Sequence, residues 1–123
     1  MDTLYKQIQV YLNMDGEIDF KEFQSYYQDV LSHLNEQADS FQEDELWKGL
    51  FIVESVMSNA ENRAKTAKKA EVKKYTKMAE RTKLYAQNFT KRLHEAGYSQ
   101  DEINDKFEEM LAEGTKEENE SRS

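Results

Sequence analysis

The sequence predicts an all-α fold, a small bundle of four to five helices with one long basic helix and a disordered acidic C-terminal tail. Three observations carry this reading. The 123 residues contain no proline and only four glycines, Gly16, Gly49, Gly97 and Gly114, too few turn formers for a sandwich, a barrel or a loop-rich fold. Apolar residues recur at three- and four-residue steps, which places them on one face of a helix. The capping-box pattern, a Ser or Asp followed three residues on by Glu, stands ahead of four successive segments. Leu, Ile, Val and Phe make up only about a fifth of the chain, close to the level at which chains stay disordered. Aromatic residues, at 11%, supply the mass for a modest core.

Leu4, Ile8 and Tyr11/Leu12 fit a first helix over 3–12, although Ile8, Val10 and Leu12 also alternate as a strand would. A second helix, 20–36, carries the stripe Phe20, Phe23, Tyr27, Val30, Leu31 and Leu34 behind Asp19 as N-cap. Ser40-Phe-Gln-Glu43 opens a third over 41–57. Its centre, LWKGLFIVESVM (46–57), is apolar on nearly every side, as the central element of a bundle should be, and Trp47 is expected in the core.

Ser58-Asn-Ala-Glu61 predicts a break near Asn59 and then a long helix over 59–96. Within it Tyr75, Ala79, Thr82, Ala86, Phe89, Leu93 and Ala96 form a heptad-like seam. A similar seam runs from Leu46 through Leu50, Val53, Met57, Ala60 and Ala64 to Ala67. The two are out of phase across Ala67–Tyr75, which fits either a turn between antiparallel helices or one very long helix with a stutter. Gly97 suits a helix terminator. Ser99-Gln-Asp-Glu102 then opens a short helix over 100–113, carried by Ile103, Phe107, Met110 and Leu111. The expected domain is therefore residues 1–113, followed by a disordered tail over 114–123. The expected core comprises Phe20, Phe23, Tyr27, Leu31, Leu34, Leu46, Leu50, Val53, Met57, Phe89 and Leu93.

The composition removes several kinds of chemistry. Without cysteine there is no disulfide, thiolate zinc site or cysteine nucleophile. No phosphate-binding glycine loop, nucleophile elbow or HExxH motif occurs. The longest apolar run, Leu50–Val53, is far short of a membrane span, and the N-terminus lacks the pattern of a secretory signal, so a cytoplasmic location is expected. His33 shares a helix face with Asp29 and Glu36, but the Glu-x-x-His pairs of a carboxylate-bridged metal site are missing. His94 sits where a helix C-terminus favours a cation. Neither enzymatic activity nor a cofactor is expected.

Residues 11–23, YLNMDGEIDFKEF, admit three readings. One is a plain interhelical turn; another is a hairpin about Asp15-Gly16. The third is calcium, because residues 11–22 resemble an EF-hand loop. Asn13, Asp15, Asp19 and Glu22 occupy ligand positions, with Gly16 at the sharp turn and Ile18 at the aliphatic position. The resemblance implies Asn13, Asp15, Asp19 and Glu22 as calcium ligands. Tyr11 stands where the first carboxylate belongs, which removes a charge that a hard cation needs.

Charge is the most informative property. Net charge is −8, divided as −10 over residues 1–62 (13 acids, 3 bases), +9 over 63–92 (2 acids, 11 bases) and −7 over 93–123 (10 acids, 3 bases). Such a chain can neutralise itself by packing the basic helix against acidic neighbours, or it can present that helix to a partner. The expectation is a non-enzymatic protein–protein interaction module, a small regulator, inhibitor or adaptor. Its partner would offer an acidic or helical surface to Lys68, Lys69, Lys73, Lys74, Lys77 and Arg81. Self-association along the heptad-like seam is a further expectation. Nucleic-acid binding through 63–92 is the alternative, disfavoured by the acidic flanks and by the absence of any base-reading arrangement.

Overall fold

The computed structural model describes the backbone of residues 1–14 and 16–122 and the side chains of residues 1–14 and 16–113. Its helices are α1 (Asp2–Leu12), α2 (Phe20–Gln37), α3 (Glu43–Ala64), α4 (Lys69–Glu95) and α5 (Gln100–Arg122), with a 3-10 turn, Ala38–Ser40, between α2 and α3. No strand occurs among the described residues. The backbone of α5 continues to Arg122, past the helix end expected at 113, and the expected tail over 114–123 lies outside the residues whose side chains are described.

Helical spacing prevails over alternation at the N-terminus. Tyr5, Ile8 and Gln9 are buried on α1 while Val10 is exposed. The Tyr26 hydroxyl donates to the Leu4 carbonyl at 2.7 Å, and the Gln9 amide donates to the Met110 carbonyl at 3.3 Å. These bonds tie α1 to α2 on one side and to α5 on the other. The hairpin reading of residues 8–20 is thereby excluded for the segment before Asn13.

Several helix boundaries differ from the sequence expectation. The start of α3 is capped by Gln42 and Glu45, with the Gln42 N–H donating to the Glu45 carboxylate at 3.2 Å. Ser40 is taken up earlier, its hydroxyl donating to Gln37 O at 3.0 Å in the 3-10 turn. The predicted break near Asn59 does not occur, and α3 runs on to Ala64. Asn59 stays helical because its side-chain amide donates to the Ser55 carbonyl one turn back, at 3.1 Å, and no proline or glycine interrupts the ladder. The chain reverses instead over residues 65–68, where the two apolar seams change phase. The 41–96 segment is thus two helices, packed antiparallel: Gly49 lies against Phe89, while Met57 and Ala86 line one cleft farther along.

The end of α4 and the start of α5 follow the sequence. Gly97 adopts φ +107°, the left-handed region open to glycine. Tyr98 N–H reaches Leu93 O at 3.1 Å and Gly97 N–H reaches His94 O at 3.0 Å, the paired bonds of a Schellman terminus. Ser99 and Glu102 then exchange backbone and side-chain bonds at 3.1 Å each, a complete capping box.

The core lies between α3 and α4 and is closed by α1, α2 and α5. Phe23, Tyr27, Leu34, Leu46, Leu50, Val53, Phe89 and Leu93 are buried as expected. Phe20, Leu31, Met57 and Trp47 are only partly buried at its edge. Trp47 stacks edge-on against Tyr98 at 5.0 Å instead of entering the core. The innermost positions of α3 are taken by Phe51, Ile52, Val53 and Val56, so the all-round apolar character of this helix is used by neighbours on three sides.

Candidate functional site

The basic segment divides into two kinds of side chain. At its ends, two arginines turn inward. The Arg63 guanidinium donates to the Ile18 carbonyl at 2.8 Å and lies 4.6 Å from the Phe23 ring centroid. Arg92 donates to the carbonyls of Ala38 and Phe41 at 2.8 and 3.1 Å. Both fix the irregular chain bordering α2: Arg63 through one N–H, Arg92 through the fork that only a guanidinium offers.

Between them, Lys65, Lys68, Lys69, Lys73, Lys74, Lys77, Arg81, Lys83 and Lys91 are all exposed. Among the described residues the ion pairs within 4 Å join Lys48 to Asp2 and Lys106 to Glu109, and none involves residues 63–92. Lys74 stands 5.3 Å from the Phe20 ring centroid, an aromatic contact that leaves its charge uncompensated. Of the two arrangements open to the basic helix, direct pairing with acidic neighbours is not seen among the described residues. The buried seam of α4, Tyr75, Met78, Ala79, Thr82, Ala86, Phe89 and Leu93, is apolar apart from Thr82, whose hydroxyl donates to Met78 O, and faces the core, so helical geometry turns the lysines outward.

The six basic residues expected to bind a partner do not form one compact cluster. Lys68 is the N-cap residue of α4, and Lys69 opens its first turn. Lys73, Lys74, Lys77 and Arg81 follow along the exposed side over the next three turns. Sequence reasoning did not single out a neighbour of this surface: Leu84 is 67% exposed. Its signal was present, since it falls half a turn off the Tyr75–Leu93 seam.

The histidines and acids do not converge. No group of three or more His, Asp or Glu among the described residues could hold a metal ion. His33 lies 3.5 Å from the N-terminal amine, and His94 contacts the Tyr98 carbonyl at 2.8 Å. In the EF-hand-like segment, Asp19 accepts the Glu22 N–H at 2.8 Å as the N-cap of α2, and the Asn13 amide donates to Gln9 O at 2.7 Å. Asp15 lies outside the described residues. Two of the candidate ligands thus serve the ends of α1 and α2.

A cleft of about 780 Å³ opens between α3 and α4, lined by Glu54, Met57, Glu61, Lys83, Ala86 and Thr90 among others. Glu54 is half-buried there, and burial, with the nearby charge of Glu61, raises its pKa above the ordinary 4.5. Because the folded pKa is the higher one, the cost of the charge is absent below the unfolded value. It grows as pH rises from the unfolded to the folded value and is constant above. Glu54→Gln is therefore expected to raise the melting temperature at about pH 7 and to leave it unchanged near pH 3, well below the ordinary carboxyl value, where both side chains are neutral. Thermal unfolding of both proteins at the two pH values checks this; an increment independent of pH contradicts it.

No protein-family model, curated protein or solved structure matches this chain. No helix among the described residues is long and apolar enough to cross a membrane.

Proposed function

We propose that the protein is a non-enzymatic protein-interaction module, a small regulator, inhibitor or adaptor that binds an acidic partner stoichiometrically through the exposed basic side of α4. The observation that carries this reading is that Lys68, Lys69, Lys73, Lys74, Lys77 and Arg81 are all exposed and none forms an ion pair among the described residues.

The placement of these charges also runs against helix electrostatics. The N-terminus of a helix carries positive partial charge and favours acids. Here Lys68 and Lys69 occupy it, opposed by Glu71, at a cost on the order of 0.3–1 kcal/mol for each misplaced charge. Folding gains nothing from that arrangement, whereas carboxylates supplied by a partner would remove the cost. Functional sites are where natural proteins break such local rules.

A second reading has the same observation behind it. Lysines at a helix N-terminus also suit phosphate, so a nucleic acid is the alternative occupant. The test is capture of partners on the tagged chain with and without nuclease. The affinity of the captured protein is then measured for the native chain and for Lys73→Glu/Lys74→Glu/Lys77→Glu. Affinity is expected to fall about tenfold or more in the triple variant, because like charges then face each other. Unchanged affinity removes the basic side of α4 as the interface. Recovery that disappears with nuclease and falls steeply with salt establishes the nucleic-acid reading instead.

A further inference from the structure

We infer that the partner is an acidic amphipathic helix, seated along the outer face of α4 with an apolar side chain against Leu84 and its carboxylates over Lys74, Lys77 and Arg81. This deepens the proposed function and rests on it.

The register of α4 supplies the first argument. Lys74, Lys77, Arg81, Leu84 and Asn88 are spaced 3, 4, 3 and 4 residues apart, so they share one exposed stripe about 21 Å long. A helix laid along that stripe meets three cations, then a leucine, then an amide. An exposed leucine alone is ordinary on a protein surface. Leu84 differs by position, since it adjoins the cations and also forms the rim of a cleft.

That cleft, about 490 Å³, lies between α2 and α4. Leu31 and Ala38 contribute apolar wall on the α2 side, and Leu84 and Tyr85 on the α4 side. The Tyr85 hydroxyl reaches across to the Asn35 side chain. The cleft therefore offers an apolar seat beside a row of cations. This is the arrangement by which an amphipathic helix is held: anchored by an apolar residue, oriented by charge.

Charge decides the sign and direction of the partner. The Lys74–Arg81 half of the stripe has no acid paired to it among the described residues. The opposite end of the cleft carries Asp39, Asn35 and Asn88. The partner's acids accordingly cluster at the end of its helix nearer Lys74, with neutral polar residues at the end nearer Asp39. A nucleic acid fits this surface less well. Its phosphates would meet Lys74 and Lys77, but Leu84 would have no apolar counterpart and Asp39 would repel the strand.

The probe is a fluorescein-labelled helical peptide of about five turns, carrying glutamates at three- and four-residue spacing in one half and a leucine next on the same face. Its binding to the full chain is followed by anisotropy at physiological salt, beside a single-stranded oligonucleotide and a peptide with the leucine replaced by alanine. Expected is saturable one-to-one binding of the probe, weakened about tenfold or more by Leu84→Asp and by Arg81→Glu. The alanine peptide is expected to bind more weakly. Leu84→Asp is exposed and should fold with an unchanged melting temperature, which is measured alongside.

Failure of the probe to bind overturns the inference, as does equal binding by Leu84→Asp. Tighter binding of the oligonucleotide, indifferent to Leu84→Asp, assigns the stripe to phosphate. Self-association lost in both variants assigns it to a second copy of this chain. The broader reading fails separately: if the captured partner is insensitive to the triple lysine reversal, α4 is not the interface. If it is sensitive to that reversal but not to Leu84→Asp, the basic surface stands and the helical partner does not.

Discussion

Phe89→Ala is expected to cost about 3–5 kcal/mol of stability, a large share of the roughly 5–15 kcal/mol that holds a domain of this size together. Phe89 is fully buried on α4 and packs against Phe41 at 5.7 Å and Tyr85 at 6.0 Å between ring centroids. It also fills the space left by Gly49, where an added Cβ would stand 3.1 Å from the Phe89 ring and 3.3 Å from that of Phe41. Truncation therefore removes the transfer energy of the ring and opens a cavity between the two central helices. The same contact predicts coupling. In the native chain Gly49→Ala crowds the two rings. In the Phe89→Ala background that crowding is relieved at Phe89, so the gain of about 1 kcal/mol for alanine over glycine in a helix should appear. Denaturant unfolding of the four chains measures both quantities. A loss below about 1 kcal/mol for Phe89→Ala would contradict the antiparallel packing of α3 on α4.

Arg92→Met is expected to destabilise by about 2 kcal/mol, close to a 10 °C fall in melting temperature for a chain of this length. The guanidinium is half-buried and donates to two carbonyls, Ala38 at the start of the 3-10 turn and Phe41 just after it. Methionine keeps most of the apolar stem but leaves both acceptors without this donor. Arg92→Lys should recover only part of the loss, because one ammonium cannot span both carbonyls in the forked geometry. Full recovery by lysine would mean that charge, and not the fork, is what matters at this position. This contrasts with Lys91, its exposed neighbour, whose replacement by Ala should change stability by less than about 0.5 kcal/mol.

Much of the fold is legible in the sequence because helical periodicity is a local property. The seam from Tyr75 to Leu93 is written in the residues themselves, and the Schellman turn at Gly97 needs one glycine and a following capping box. The helix break was misplaced for an equally local reason. Ser58-Asn-Ala-Glu61 imitates a helix start, but Asn59 bonds back within the helix, and the true turn at 65–68 contains no residue that demands one. Only the phase shift between the seams marked it.

The surface is legible in a different measure. Which residues are basic is plain, and so is their separation from the acids. Whether they are neutralised depends on how helices distant in sequence pack, which no local pattern encodes. Trp47 and Leu84 stand on opposite sides of this point. The apolar segment around Trp47 assigns it to the core, while packing leaves it at an edge against Tyr98; Leu84 lies outside, as its place half a turn off the seam implies. The two arginines that brace the bundle are likewise indistinguishable in sequence from Arg81, which stays exposed.

The most direct measurement is hydrogen exchange of the full chain with and without its captured protein partner. Slowed exchange is expected to be confined to α4 between Lys69 and Asn88 and to the adjoining side of α2, with α5 unaffected. Slowing at the cleft around Glu54 and at α5, with residues 69–88 unchanged, would contradict this and move the interface to the other side of the bundle.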